Sequence, residues 1–526
     1  MDKTTKRWAG VLAAAAAAML AACSTPAPKP SNTPNDDALA SYYQQDLEFG
    51  PCDDFALTDA ERATYEMAAA IIECGRLDVP VDYDRPEAES ASIAVLRVPA
   101  QGSERIGSLV LNPGGPGQGG ASYATLVAGI LAQSESPVLQ HFDIVGFDPR
   151  GVGASTPAID CFTDEQRDAD DDLTMPTLLP SGNDWTDESA QEFADACAER
   201  SGGDAMLANL GTRDVARDMD VLRAALGDEQ LTYAGWSYGT RLGAVYAEMF
   251  PENVRAMALD GVMNPIQNTF DRSVDQARGF QSSFDKMAKW CAEETDACPL
   301  GTDPTVASAA FQQILVPLKD APVPAGDGRT LDYDGALLGT VAALYSSINF
   351  PTLVNGLTEI QQGRGDVLLT LRNTFSQRNP DGSYNGFLEA LMAINCIDED
   401  RHDAQRETQL REAVAEVAPA FDDGDVVSAT SPCAAWPGSS ELGFPYADEV
   451  DTDSLADLLI VSVTGDPATP HDGAIQLAEQ LASPLLTVNG EQHGAMFVGG
   501  SACVDEIVSD YLVDLTPPPS DANCSL

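Results

Sequence analysis

The sequence predicts an α/β fold: a mostly parallel sheet covered on both faces by helices, with a helical cap inserted late in the chain. Three observations carry this. Short apolar runs closed by Gly, Pro or Asp alternate with helix-period segments from about residue 92 to residue 259. Between about Pro265 and Asp453 helical stretches dominate, and strand signals then return. One strand–turn–helix junction, Leu231 to Thr240 (LTYAGWSYGT), holds a serine between two glycines.

Element by element, the chain opens on a targeting segment. Lys3, Lys6 and Arg7 precede an apolar run from Trp8 to Leu20, a signal-peptide pattern over 1–22. The run ends Leu20-Ala21-Ala22-Cys23-Ser24, which resembles a bacterial lipobox and implies a diacylglycerol-modified Cys23; two acyl chains anchor where one is marginal. Plain secretion after an Ala-x-Ala is the alternative. The Pro/Ser/Thr-rich stretch Ser24 to Asp36 predicts a flexible tether over 23–50. The first part of the α/β core follows over 51–265. Its strands are expected at Ser92–Val98, Gly107–Leu111, Phe142–Phe147, Leu231–Ala234 and Val254–Leu259. Helices are expected over Thr212–Leu226, with Thr212 as N-cap, and over Arg241–Phe250. The cap occupies 266–455, with helices such as Ser273–Cys291 and Ala336–Ser347. The core resumes over 456–526 with strands Leu458–Val463 and Leu485–Val488. No apolar run after the leader reaches the ~18 residues of a transmembrane helix.

Acids outnumber bases 82 to 29, a formal net charge of -53. Such a protein is repelled by nucleic acid and by anionic membrane surfaces, so neither is an expected partner beyond the lipid anchor. The expected partners are peptide substrates, and the expected state is a monomer. Of 11 cysteines, ten remain once Cys23 is set aside, an even number suited to an oxidising compartment. Nearest-neighbour pairing gives Cys52–Cys74, Cys161–Cys197, Cys291–Cys298, Cys396–Cys433 and Cys503–Cys524. With no Cys-x-x-Cys and four scattered histidines, metal is rejected as a main function, and no cofactor is expected.

Gly235-Trp236-Ser237-Tyr238-Gly239 is a nucleophile-elbow pattern in its required context, and Ser237 is the candidate nucleophile. A serine hydroxyl needs a base, normally His held by a carboxylate. His141 precedes a strand, at the wrong end. His402 lies in the charged run Asp398 to Asp403, read as a solvated face, and His471 follows Thr469-Pro470 and is read as surface. His493 follows the last predicted strand in a Gly-flanked loop and is the candidate base. Asp466, in the loop after Leu458–Val463, falls between Ser237 and His493 and is the candidate acid. Asp260, after the strand before, is the alternative, although a turn-capping role suits it better. Oxyanion donors are expected from the backbone of Tyr238 and of Gly115, in the loop Asn112-Pro113-Gly114-Gly115-Pro116-Gly117.

The ordered set NPGGPG, FDPRGVG, SYGT, TGDPATP and a late His-Gly followed by Cys resembles the secreted tripeptidyl aminopeptidases, of the prolyl-aminopeptidase-type branch of the α/β-hydrolases. The resemblance spans about Cys74 to Cys524. It implies the α/β-hydrolase fold with a helical cap, the triad Ser237, Asp466 and His493, and cleavage of short peptides from a free N-terminus. Gln492 departs from it, standing where a Gly commonly precedes the His. An exopeptidase must hold an ammonium group, and Asp398 and Glu399, set by the Cys396 disulfide, are the candidates for it. An esterase or lipase with the same triad, and a peptide-binding lipoprotein without catalysis, are the competing readings.

Overall fold

In the computed structural model, which describes residues 34–169, 185–295, 297–425, 430–439, 442–519 and 522–526, nine strands form one sheet. They are β1 Glu73–Pro80, β2 Ser90–Val98, β3 Gly107–Asn112, β4 Phe142–Asp148, β5 Leu231–Trp236, β6 Val254–Asp260, β7 Leu459–Val463, β8 Leu485–Asn489 and β9 Asn523–Ser525. Their order is β1-β2-β4-β3-β5-β6-β7-β8-β9. The pairs β1–β2 and β2–β4 are antiparallel, and all others are parallel. The parallel strands therefore deliver their carboxyl ends to one edge.

Every residue of β3, β4 and β5 is buried, which is why these strands read as unbroken apolar runs. Alternate side chains go to opposite faces. Val110, Val145, Tyr233 and Leu259 pack with the helices Thr212–Ala225 and Tyr238–Met249, whereas Leu109, Leu111, Ile144 and Ala234 pack with Gly120–Gln133 and Ala502–Asp514. Two strands carried no expectation. β1 alternates polar and apolar residues at the sheet edge, and β9 is three residues long in a Pro-rich tail.

The expected tether over 23–50 ends earlier than residue 50. Pro34–Tyr43 is helical, and the following residues cover the open edge of β1. Gln45 donates to Asp78 O and accepts from Asp78 N, at 2.8 and 2.9 Å, and Gly50 exchanges backbone hydrogen bonds with Cys74. An edge strand presents unpaired backbone groups, and this segment satisfies those of Cys74 and Asp78. Cys23 and the leader lie outside the described residues.

The insertion between β6 and β7 is helical, as expected, with helices at 269–294, 307–315, 333–344, 350–361, 366–375, 387–398 and 404–417. Phe280, Phe284, Phe311, Leu337, Leu353 and Phe421 belong to a core of its own. The helix Phe387–Asp398 is different: its Met392, Ala393, Ile394 and Ile397 join the core cluster of the sheet, so the cap is rooted in the core rather than laid over it. A second helical excursion, between β4 and β5, was not foreseen; its helix Asp187–Arg200 is tied down by Cys161–Cys197. Disulfides join all five nearest-neighbour cysteine pairs. Among the described residues no helix is long and apolar enough to cross a membrane.

Candidate active site

β5 ends at Trp236, and the helix Tyr238–Met249 starts two residues later, with Ser237 between them at φ 54°, ψ -121°. A non-glycine residue there is strained by about 1–3 kcal/mol, and the surrounding chain must hold it. It does: Ser237 N donates to Asp260 O at 2.9 Å, and Thr240 N and Oγ1 both donate to Ser237 O. The flanking glycines are required by contact. A Cβ on Gly235 would lie 2.5 Å from Gly239 O, and one on Gly239 would lie 2.6 Å from Asn112 O.

The loop after β3 runs against this turn. Gly114 has φ +104°, and a Cβ there would sit 2.9 Å from Ser237 Cβ and 3.3 Å from Tyr238 N. Gly115 follows with the same φ and lines the cavity in front of Ser237. The Tyr238 N–H heads its helix, where backbone donors point outward without intrahelical partners. The Tyr238 phenol is held from behind: it donates to Thr212 Oγ1 at 2.7 Å, and that hydroxyl donates to Asp398 Oδ2.

His493 and Asp466 meet in the loops after β8 and β7. His493 Nδ1 lies 2.9 Å from both Asp466 oxygens. Asp466 is buried and well supplied with donors. Oδ1 accepts from Ala468 N and Thr469 N, and Oδ2 from Thr469 Oγ1 and Gly494 N. The carboxylate thus fixes Nδ1–H and leaves Nε2 as the basic nitrogen. Burial works against a charged His493 ring, but Asp466, its hydrogen bond and the charge of Asp260 outweigh that and raise the pKa above the usual histidine value. The cap takes part. His493 N donates to Tyr345 O at 2.8 Å, and the Tyr345 ring meets the imidazole edge-on at 5.4 Å. Gln492 Nε2 donates to Gly494 O and Gly499 O, lacing the loop closed.

Ser237, His493 and Gly115 line one cavity of about 500 Å³, roofed by cap residues that include Tyr345, Phe375 and Phe387. Its charged lining comprises Arg272, Asp275 and Asp472 besides His493. The expected pair Asp398 and Glu399 is not brought to this wall. Both are buried and engaged elsewhere, so the ammonium-binding expectation is corrected. Asp398 accepts from Thr212 N and Oγ1, capping that helix from outside; Gly211, not Thr212, is the N-cap. Glu399 accepts from Arg241 Nη1 at 2.9 Å and Thr269 Oγ1 at 2.7 Å and pairs with Arg272 at 3.2 Å. Burial opposes the Glu399 charge, yet Arg272 and Arg241 prevail and hold the carboxyl at about 2, whereas burial lifts Asp398 to about 6. His402 is likewise no solvated residue: it is mostly buried and lies 3.3 Å from Glu407. The arginines that neutralise this acidic turn come from distant segments, a pairing that no local pattern shows.

A mostly parallel sheet with a strained serine between β5 and the next helix, and an Asp–His pair at the same edge, defines a serine hydrolase. A family model of the alpha/beta hydrolase fold matches residues 107–499, and the chain belongs to that family. It is 41% identical over 461 residues to Serine protease Hip1 of Mycobacterium tuberculosis, covering 86% of this chain and 87% of the relative. Carboxylesterase B of the same species is 38% identical over 458 residues, covering 86% of each. The Tripeptidyl aminopeptidase of Streptomyces lividans is 31% identical over 474 residues, covering 86% of this chain and 84% of the relative.

Proposed function

We propose that this protein is an exported serine exopeptidase that removes short peptides, tripeptides foremost, from free N-termini. The observation that carries the reading is the capped cavity: Ser237, His493 and Gly115 face a space of about 500 Å³, within the range of small-ligand sites, whose wall also carries two carboxylates. A chain end fits such a space better than the middle of a folded substrate. Asp472, exposed at the start of the helix His471–Gln480, takes the place of Asp398 and Glu399 as partner for a substrate ammonium; Asp275 on the same wall is paired with Arg278 and Gln267. Relatives named as a serine protease and as a tripeptidyl aminopeptidase support peptide substrates. Five disulfides and the leader support export; Cys23 is the proposed lipid attachment point.

In this reading Ser237 Oγ attacks the scissile carbonyl carbon while His493 Nε2 takes the hydroxyl proton. The oxyanion forms against the N–H groups of Gly115 and Tyr238. The imidazolium, stabilised by Asp466, then protonates the leaving amine, and water repeats the sequence on the acyl-enzyme. The test uses fluorogenic tripeptides with free and with blocked N-termini beside short-chain esters. Turnover confined to the free tripeptides, and absent in Ser237→Ala, is expected. A relative named as a carboxylesterase favours the second reading, an esterase with the same triad; ester turnover without peptide turnover would establish it.

A further inference from the structure

One buried carboxylate at the site has no part in the mechanism above. Asp260 ends β6, the strand beside the one that carries Ser237, and its side chain is fully buried. Its Oδ2 accepts two backbone hydrogen bonds, from Ala495 N at 2.6 Å and Met496 N at 2.7 Å. These are the second and third residues after His493. The intervening Gly494 has φ +71°, and a Cβ there would meet Asp260 Oδ2 at 3.4 Å. Trp236, next to the nucleophile, fastens the same loop from its other side by donating Nε1–H to Met496 O at 3.2 Å. Asp260 Oδ1 is buried and has no hydrogen-bond partner among the described residues. A half-satisfied buried charge is costly and calls for a reason.

The reason lies in what it faces. Gly261, the next residue, packs against the base: its Cβ position is 3.1 Å from His493 Cε1 and 3.3 Å from Thr469 Oγ1. The groups in contact with the imidazole are Asp466 and Thr469 from the loop after β7, Tyr345 from the cap and Gly261 from the end of β6; the charge of Asp260, the residue before Gly261, also acts on it. Two carboxylates thus act on the ring, Asp466 from the loop after β7 and Asp260 from the end of β6.

Resting on the reading of His493 as the base, we infer that Asp260 is a positioning residue for it: its carboxylate pins the loop that carries His493 and adds a second negative charge near the imidazolium. Asp466 sets the tautomer at Nδ1, while Asp260 sets where the ring stands and raises its affinity for the proton. Burial lifts the Asp260 carboxyl to about 6, against the pull of its two backbone donors.

The test compares Asp260→Asn and Asp260→Ala in the full chain, each checked for folding by thermal melting and for a reactive serine by fluorophosphonate labelling of Ser237. Asn retains an acceptor for both backbone donors but no charge. The expected result is an acidic limb of kcat/KM lowered by ~0.5–1 pH unit, a fall in kcat of about tenfold, and an unchanged KM. Asp260→Ala, which also releases the loop, is expected to lose a further tenfold or more in kcat while still melting cooperatively. In Asp466→Asn, the remaining activity should fall again when Asp260→Asn is added. An Asp260→Asn enzyme with the native pH limb and kcat would overturn the inference, leaving Asp260 a structural pin. Full activity in Ser237→Ala would instead overturn the underlying triad, so the two failures are distinguishable.

Discussion

Replacing Asp466 with Asn is the sharpest perturbation of the site. The substitution is isosteric, and Oδ1 can still accept from Ala468 N and Thr469 N. The amide nitrogen then occupies the Oδ2 position, where the carboxylate had accepted from Gly494 N and Thr469 Oγ1 and faced His493 Nδ1 at 2.9 Å. Donor now meets donor at Gly494. Towards the imidazole the amide nitrogen donates and competes with Oδ1, also 2.9 Å from Nδ1, which populates the tautomer protonated on Nε2, and that tautomer cannot accept the Ser237 proton. The charge lost from behind the imidazolium amounts to about 4 kcal/mol for a contact near 4 Å at an effective dielectric of 20. That is roughly a thousandfold in rate, and the wrong tautomer brings the expected fall in kcat to ~10³–10⁴. The sign with pH follows. His493 acts as a base only when neutral, and its pKa is raised in the folded protein. Native kcat/KM should therefore fall as the pH drops through a value above the ordinary ~6.5. Without Asp466 the limb should move to lower pH. Steady-state kinetics on a free-N-terminus tripeptide reporter from pH 5 to 9 measures both. A loss of less than tenfold, or a limb that stays in place, would refute this account of Asp466.

Other expectations follow from the same geometry. Gly114→Ala places a Cβ 2.6 Å from Trp236 O at φ +104°, so the loop must shift; kcat should fall ~10²–10³ with a small change in melting temperature, as read by parallel kinetics and calorimetry. Asp472→Asn should raise KM for free-amine tripeptides about tenfold, near 1.4 kcal/mol, and leave blocked peptides and esters unchanged in the same assay. Glu399→Gln removes the counter-charge of Arg272 and the nearer of the two at Arg241, which keeps only Asp398 at 3.9 Å, and should cost about 3 kcal/mol by urea unfolding at pH 7. Because the native Glu399 carboxyl is depressed to about 2, its contribution is present above the unfolded value near 4.5 and is lost as the pH falls through about 2. The gap between native and Glu399→Gln should narrow over that window.

The candidate site was legible wherever its chemistry is local. Ser237 sits in a pentapeptide between an apolar strand and a helix, and Asp466 and His493 each follow an apolar run into a Gly- or Pro-rich loop. Burial on both faces makes β3, β4 and β5 continuous apolar stretches, so the sheet could be read as well. What failed was long-range pairing. Asp398 and Glu399 look like a solvated turn because nothing adjacent marks Arg241 and Arg272, more than 100 residues earlier, as their partners. Asp260 had the composition of a turn cap, and only the fold sets it under the His493 loop. The edge strand β1 was missed because its alternating residues include Arg76 and Asp78, and the segment 34–50 because nothing in a stretch that follows the Pro/Ser/Thr-rich residues 24–36 marks the open sheet edge it covers.

The central claim, that Ser237 releases short peptides from a free N-terminus, is tested most directly by mass spectrometry of the products formed from a mixed pool of unblocked peptides by the native protein and by Ser237→Ala. The native protein should yield N-terminal tripeptides and the matching shortened remainders, and the variant should leave the peptides intact. Internal cleavage, or the same products from both proteins, would contradict it.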